Sequence, residues 1–270
     1  MTLPPIMVAP NGARLQKSDH PAVPLTLDEI TDCAVRCHAA GAGGLHLHLR
    51  DADGRHLLNA GAYREALAAL SARCPGMLVQ ITTEAAGRYT PCDQRHVALN
   101  SGAGNISVAV REMLREPVAA PGFYRRCAAA GIAVQHILYD VADAQRLKSV
   151  LPASRFTSPR LQLLFVLGSH TDRREARPED LDPFLGWLAA EGISPDWAAC
   201  AFGRDETDCL LYAARAGGKC RVGFENSIFR RDGTRADSNE DRVRELRGLL
   251  PPHAGQTPDQ PLAATGCADT

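Results

Sequence analysis

The sequence predicts a single-domain (β/α)8 barrel, and three observations lead to this prediction. Short apolar stretches alternate with helical stretches along most of the chain. Eight such β-α units fit into roughly 250 residues, which is the usual size of this barrel. Most strand-like stretches are continuous apolar runs, as expected of parallel strands that are buried on both faces. An open doubly wound sheet is the alternative, but it normally has fewer units, and no G-x-G-x-x-G motif follows the first strand.

Each predicted element can be placed from its apolar pattern and its flanking turn residues. The strands are expected at residues 6–9, 45–50, 77–81, 106–110, 132–139, 161–167, 197–202 and 220–225, and the helices at 26–40, 63–72, 93–100, 121–130, 142–151, 178–191, 206–216 and 238–250. Two helices begin with a capping pair, Thr26 with Glu29 and Ser238 with Asp241. We expect residues 1–250 to form the barrel and residues 251–270 to form a loosely attached tail rich in proline and glycine.

Composition and charge argue against several classes of protein. The chain has 270 residues, of which 45% are hydrophobic and 23% charged, with a net charge of −1, so nothing favours nucleic acid or a membrane surface as a partner. No apolar run is long enough to span a bilayer, and the N-terminus does not resemble a signal peptide. The nine cysteines include no C-x-x-C pair, so we expect reduced thiols that fill the core of a cytoplasmic protein.

Polar residues follow the predicted strands at their carboxyl ends, where barrel enzymes place their active sites. They are Asn11 and Arg14; His46, His48 and Arg50; Thr82, Thr83 and Glu84; Ser107, Arg111 and Glu112; His136 and Asp140; Ser169 and His170; Arg204; and Arg221, Glu225 and Asn226. We expect these side chains to converge at the mouth of the barrel.

The run from Gly44 to Asp51, G-L-H-L-H-L-R-D, carries the clearest chemical signal. Because side chains alternate along a strand, His46, His48 and Arg50 are predicted to share one face. Two imidazoles held in this way can bind one metal ion, and zinc suits them. Only the first strand separates the second from the eighth, so Glu225 could complete a His2Glu set with an open coordination position. The alternatives are an edge strand with incidental histidines and a solvated carboxylate.

Four motifs also carry a resemblance to a known family. They are Val8-Ala9-Pro10-Asn11-Gly12-Ala13-Arg14, the H-x-H-x-R-D run of His46 to Asp51, Gln80-Ile81-Thr82-Thr83-Glu84, and Arg221-Val222-Gly223-Phe224-Glu225-Asn226. In this order they resemble the β-keto acid cleavage enzymes, over about residues 6–250. The resemblance implies a zinc-dependent barrel that assembles into a homotetramer. It also implies a reaction in which a β-keto acid and acetyl-CoA yield acetoacetate and a new acyl-CoA. No local motif for CoA is present, so that co-substrate rests on the resemblance alone.

The resemblance also implies roles for individual residues. The metal ligands would be His46, His48 and Glu225, the substrate contacts would include Asn11, Thr82 and Ser107, and the catalytic arginine would be Arg221. Asn226 departs from the family, whose members have an aspartate there, and an amide cannot act as a base at neutral pH. Either Asn226 orients Arg221 through a hydrogen bond, or another group replaces the aspartate, and Glu84 is our candidate.

Arg14 is a second departure, since the aminohexanoate enzymes have a glutamate there that faces the ammonium group of the substrate. A guanidinium should reject a cationic tail and favour an anionic one, which predicts a dicarboxylic or otherwise anionic β-keto acid. The alternative is that Arg14 pairs with Asp19 or Glu84 and does not meet the substrate.

Two other functions stay open on the sequence alone. Amidohydrolase-type barrels also use H-x-H strands, although they place the pair on the first strand and add further histidines, for which His136 and His170 are candidates. A non-enzymatic metal or metabolite binding protein would show broken site residues, whereas here only Asn226 departs among the proposed metal and catalytic positions.

Overall fold

A closed barrel of eight parallel strands forms the centre of the molecule, in a computed structural model that describes residues 2–168 and 175–251. In chain order the strands are Ile6–Val8, Gly44–Leu47, Leu78–Ile81, Asn105–Ala109, Ala133–Leu138, Gln162–Leu167, Asp196–Ala201 and Lys219–Val222. We refer to them as barrel strands one to eight. Each pairs with the next, and strand one closes the barrel against strand eight. The predicted fold class is therefore confirmed.

Helices surround this barrel. Those of ten or more residues in the described part of the chain are Leu27–Ala40, Ala60–Arg73, Pro91–Asn100, Ala120–Ala129, Val141–Val150, Asp182–Glu191, Glu206–Arg215 and Asn239–Leu249. Shorter turns at Val110–Met113, Ala153–Phe156 and Pro178–Leu181 lie between them. The last of these is a 3-10 turn, so the helix predicted at 178–191 becomes α-helical only at Asp182. None of the described helices is both long and apolar enough to cross a membrane.

Both predicted capping pairs are confirmed. The Thr26 hydroxyl accepts a hydrogen bond from the Glu29 backbone N–H at 3.2 Å, and the Glu29 carboxylate accepts one from the Thr26 N–H at 3.1 Å. The Ser238 hydroxyl accepts from the Asp241 N–H, also at 3.2 Å. These contacts satisfy N–H groups that the first helical turn cannot bond internally, which explains where the two helices begin.

The second barrel strand is shorter than predicted. It ends at Leu47, and the next residues, Leu49–Arg50, pair antiparallel with His56–Leu57 in a separate hairpin. The Arg50 guanidinium donates to the carbonyl oxygens of Asn11, at 3.0 Å, and of Gly12, at 2.6 Å. Arg50 therefore binds the backbone of the loop after strand one. It does not lie on one strand face with His46 and His48, as was predicted.

The eighth strand is also shorter, and this changes the position of a proposed metal ligand. It ends at Val222, and Gly223 turns the chain with a φ of 139°. A Cβ at Gly223 would lie 2.5 Å from the Ala9 carbonyl oxygen, so only glycine allows strands one and eight to approach in this way. Glu225 therefore lies in the loop after the strand and not on the strand itself.

The core lies mainly between the barrel and its helices. Phe165 on strand six stacks on Phe184 of the helix Asp182–Glu191, with ring centroids 4.5 Å apart. The cysteines of the described residues are all free, and only Cys92 among them is exposed, which fits the prediction that they fill the core. Ser169, His170, Cys267 and the predicted tail after Pro251 lie outside the described residues.

Candidate metal centre and active site

His46, His48 and Glu225 meet at the carboxyl end of the barrel. His46 is on strand two, His48 follows the end of that strand, and Glu225 comes from the loop after strand eight. Strand one lies between them, with Val8 paired to both Leu45 and Val222. The Glu225 backbone N–H donates to the Ala9 carbonyl oxygen at 3.0 Å, which ties the loop of strand eight to the end of strand one.

The donor atoms of these three residues form a compact triangle. The two Nε2 atoms of His46 and His48 are 3.1 Å apart, and Glu225 Oε2 lies 3.7 Å from the first and 3.5 Å from the second. Ligands at about 2.0–2.1 Å from a tetrahedral zinc ion are separated by about 3.3 Å, so one ion fits between these three atoms. All three side chains are buried. Glu225 also lines a cavity at the carboxyl end of the barrel, so an ion bound by the three residues could take a fourth ligand from that cavity.

The electrostatics of the cluster suit a cation. Burial lowers the pKa of His46, and the nearby Arg221 guanidinium lowers it further, so this imidazole is neutral and can donate a lone pair. Burial and the neighbouring His46 likewise lower the pKa of His48. Burial raises the pKa of Glu225, although Arg221 opposes the shift, which means that the carboxylate is desolvated. A divalent ion would add positive charge beside this desolvated carboxylate.

Arg221, on strand eight, reaches into the same region. Its Nη2 donates to Glu225 Oε1 at 3.2 Å and contacts the Cys200 thiol at 3.4 Å. Its Nε and Nη1 are buried and have no hydrogen-bond partner within the described residues. The arginine therefore holds the Glu225 carboxylate through Nη2. The N–H groups of Nε and Nη1 can bind negative charge that develops on a substrate.

Asn226 does not hydrogen-bond to Arg221 in this structure. Both polar atoms of its side chain are buried, and neither has a partner among residues 2–168 and 175–251. Its backbone N–H, in contrast, donates to the Gly223 carbonyl oxygen at 2.8 Å. The hypothesis that Asn226 orients Arg221 directly thus has no contact to support it here.

Arg14 and Glu84 face each other across the mouth of the cavity. Arg14 Nη1 donates to Glu84 Oε1 at 3.0 Å, while the Arg14 side chain remains 54% exposed. The other carboxylate oxygen, Glu84 Oε2, lies 4.0 Å from His48 Nδ1. Of the two partners considered for Arg14, the structure shows Glu84, and this ion pair places the candidate base next to a candidate metal ligand.

The three remaining residues predicted to contact the substrate, Asn11, Thr82 and Ser107, differ in their position relative to the cavity. Asn11 lines the cavity, but its Nδ2 donates to the carbonyl oxygens of Pro24, at 2.8 Å, and of His48, at 3.3 Å, so it also holds the backbone of a candidate ligand. The Thr82 hydroxyl accepts from the Glu84 N–H at 3.0 Å. The Ser107 hydroxyl is buried with no partner in the described chain. Thr82 and Ser107 are not among the residues that line the cavity.

The cavity has a volume of about 330 Å³ and is also lined by side chains that were not predicted to bind substrate or metal. Tyr139 and Phe202 follow strands five and seven and line its wall. Arg111 lies over the Tyr139 ring at 4.4 Å and pairs with Asp143 at 2.7 Å. Their positions at strand ends were visible in the sequence, but the pairing was not, because these partners come from different β-α units.

His136 was expected at the barrel mouth, and this expectation was wrong. Its ring packs against Tyr124 of the helix Ala120–Ala129 at 5.1 Å, on the outer face of strand five, and burial lowers its pKa to about 3. Its neighbour Gln135 points inward, since its side chain reaches Gln80 at 3.0 Å. Because side chains alternate along the strand, His136 cannot contribute to the metal cluster. It therefore cannot serve as the additional metal ligand that an amidohydrolase-type site would need.

Fold and site together define a (β/α)8 barrel whose His-His-Glu cluster can hold one metal ion. The sequence model of the beta-keto acid cleavage enzyme family matches residues 5–261, so the chain belongs to this family. The resemblance seen in the four sequence motifs is thereby confirmed.

Curated relatives agree with this assignment. The chain is 26% identical over 250 residues to the 3-keto-5-aminohexanoate cleavage enzyme of Fusobacterium nucleatum, covering 87% of this chain and 86% of that protein. It is 25% identical over 258 residues to the 3-oxoadipate:acetyl-CoA acetyltransferase of Cupriavidus necator, covering 92% and 89%. The structure of ObcA in a ternary complex with a C4-CoA adduct and oxalate matches with a TM-score of 0.66 at 15% identity, covering 84% of this chain. The chain spans only 63% of that ObcA chain, and this likeness concerns the fold alone.

Proposed function

We propose that the protein cleaves a β-keto acid in a metal-dependent reaction with acetyl-CoA, yielding acetoacetate and a new acyl-CoA. The observation that carries this proposal is the triangle of His46, His48 and Glu225 beside the Arg221 guanidinium. Family membership supports the reaction class, and a relative named for transfer between 3-oxoadipate and acetyl-CoA supports the co-substrate. The proposed ion is zinc, because two imidazoles and a carboxylate suit it.

The residues of the chain divide the proposed chemistry between them. A bound ion would act as a Lewis acid that polarises the ketone of the substrate. Arg221 binds negative charge that develops on the reacting oxygen atoms, using the N–H groups that Glu225 and Cys200 do not engage. Glu84 lines the cavity and is the proposed base in place of the family aspartate. Asn226 contributes hydrogen bonds only, since its amide cannot take up a proton.

We further propose an anionic β-keto acid as the substrate. Arg14 pairs with Glu84 yet keeps 54% of its side chain exposed at the cavity, so a second carboxylate can approach it. The Arg14→Glu variant should lower kcat/KM for 3-oxoadipate at least tenfold and raise it for 3-keto-5-aminohexanoate. Arg55→Glu, at another exposed ion pair outside the cavity, is the matched control and should leave both values unchanged. A wild-type preference for the cationic substrate would refute the proposed substrate class.

The reaction itself is tested by mass spectrometry. The protein is incubated with acetyl-CoA and a panel of β-keto acids, with and without a chelator, and the acyl-CoA products are identified by mass. New acyl-CoA species that disappear on chelation and return with zinc support the proposal. Release of free acids without a new thioester would support a hydrolase instead. The Asn226→Asp variant, assayed in parallel, shows whether the family aspartate raises the rate.

Three further properties are proposed, the first from the resemblance, the second from the cysteine pattern and the third from the proline and glycine content of the last residues. They are a homotetrameric assembly, a cytoplasmic location, and a barrel that ends near residue 250 before a tail at 251–270. Light scattering of the purified protein measures the first, and cell fractionation measures the second. Limited proteolysis tests the third, because a tail outside the barrel should be removed without loss of the folded core.

A further inference from the structure

We infer that Gln80 and Gln135 form a positioning relay that selects the metal-binding tautomer of His46. The inference rests on the proposed metal site. Four groups lie in sequence across the barrel interior: His46 Nδ1 is 2.9 Å from Gln80 Oε1, Gln80 Nε2 is 3.0 Å from Gln135 Oε1, and Gln135 Nε2 is 3.2 Å from the Leu163 carbonyl oxygen. They come from barrel strands two, three, five and six.

The backbone carbonyl at one end fixes the direction of the whole relay. Leu163 O can only accept, so Gln135 must present its NH2 group there and turn its oxygen towards Gln80. Gln80 must then present its own NH2 group to that oxygen and its Oε1 to His46. An amide oxygen cannot donate, so His46 Nδ1 carries the hydrogen.

This hydrogen decides which imidazole nitrogen can bind a metal ion. In a neutral imidazole with a hydrogen on Nδ1, Nε2 holds the lone pair. His46 Nε2 is the atom that faces the other two donors, at 3.1 Å from His48 Nε2 and 3.7 Å from Glu225 Oε2. The relay thus prepares His46 as a ligand before any ion arrives, as outer hydrogen bonds do for metal-binding histidines generally.

The two histidines differ in this respect. His48 Nδ1 is buried without a hydrogen-bond partner in the described chain, and Glu84 Oε2 lies 4.0 Å from it. Gln80 and Gln135 are each 1% exposed, and two amides buried this deeply inside a barrel are costly unless all their bonds are made. The relay supplies hydrogen bonds to both amides and connects them to His46 but not to His48.

Zinc affinity, measured by competition with a chromogenic chelator, tests the relay. Gln80→Leu removes the acceptor at His46 Nδ1 and should weaken zinc binding about 10–100-fold. Gln135→Leu lets the Gln80 amide flip and should cause a smaller loss in the same direction. Gln80→Glu and Gln135→Glu retain an acceptor at the critical oxygen and should keep near wild-type affinity. Gln94→Leu is the matched control, because Gln94 is an equally buried amide whose Nε2 bonds to Thr83 and Glu112, away from both histidines.

A second readout does not involve metal. Long-range ¹H–¹⁵N NMR of the metal-free protein reports which nitrogen of His46 carries hydrogen. The wild-type protein and both Glu variants should show the hydrogen on Nδ1, and Gln80→Leu should show a mixture of tautomers. Unchanged zinc affinity or an unchanged tautomer in a folded Gln80→Leu protein would overturn the relay while leaving the metal site intact. Failure of the wild-type protein to bind zinc would instead refute the metal site itself, and the role of the relay with it.

Discussion

A single methyl group at Gly12 should disable the metal centre. Gly12 follows strand one with a φ of +56°, and a Cβ built on it would lie 2.6 Å from Glu225 Cγ and 3.3 Å from Glu225 Cδ. Ordinary contacts of a Cβ begin at 3.4 Å, so in the Gly12→Ala variant the Glu225 side chain must move by about 0.8 Å. Metal–ligand distances tolerate only about 0.2 Å, and Glu225 would leave the triangle that it forms with His46 and His48.

The expected result combines a small loss of stability with a larger loss of metal affinity. An alanine in the left-handed region costs about 1–2 kcal/mol of folding free energy. Displacement of one ligand of three should weaken zinc binding about 10–100-fold, or about 1.4–2.7 kcal/mol. Urea denaturation of the metal-free protein measures the first effect, and chelator competition measures the second.

Gly192→Ala separates backbone strain from ligand displacement. Gly192 has a φ of +62° at the end of the helix Asp182–Glu191, and no atom of the described residues lies within 4 Å of a Cβ placed there. This variant should lose similar stability and keep wild-type zinc affinity. If Gly12→Ala folds and binds zinc within about twofold of the wild-type protein, the steric reasoning is refuted.

Three other changes test the electrostatics, the core and a cap. Burial raises the pKa of Glu206 to about 7, against the opposing charge of Arg242, so the folded protein binds this proton more tightly than the unfolded chain with its value near 4.5. The contribution of Glu206 to stability should then fall by about 3 kcal/mol as the pH rises from 4.5 through 7. Histidines with a lowered pKa, such as His136, act in the opposite direction over this range, but equally in both proteins. Urea titrations at pH 5 and 8 should therefore show the stability of the wild-type protein relative to Glu206→Gln falling by most of this amount, and an unchanged difference would refute the assignment. Phe184→Ala removes the ring stacked on Phe165 and should cost about 3–5 kcal/mol in the same titrations, whereas a loss below about 1 kcal/mol would contradict that packing. Thr26→Ala should cost about 1 kcal/mol through the lost cap, and an unchanged midpoint would show that the cap contributes nothing.

The sequence was sufficient to predict the barrel because the signals for its elements are local. Apolar runs, glycine stops and the capping pair at Thr26 depend only on neighbouring residues, and the observed elements agree with the predicted ones to within a few positions. The two barrel strands that end earlier than predicted share one cause. Strand ends at Leu47 and Val222 are set by partners far along the chain, such as the carbonyls that engage Arg50, and periodicity contains no information about those partners.

The site was predictable only in part, for a related reason. In a closed barrel of eight parallel strands, strand one lies between strands two and eight. The order of the strands in the sequence therefore predicted that His46, His48 and Glu225 lie close together. The inward or outward direction of a single side chain did not follow, because strand five has one polar residue on each face, Gln135 and His136, and its other residues are apolar, so the sequence shows no alternation. For that reason His136 was placed wrongly, and its neighbour Gln135, which does point inward, received no role.

The loop after strand eight shows how the fold holds a charged ligand in a buried position. The Gly223 N–H donates to Glu206 at 3.2 Å, the Phe224 N–H donates to Asn239 at 2.9 Å, and the Glu225 N–H donates to Ala9 at 3.0 Å. Three consecutive N–H groups are thus bonded to three separate elements, two of them helices that come before and after the strand. These bonds hold the backbone of Glu225 in place, and the Arg221 guanidinium, 3.2 Å from Oε1, orients its carboxylate before any ion binds. An ion that enters the site therefore needs to reorganise little of the protein, which favours tight binding and a defined orientation for the substrate.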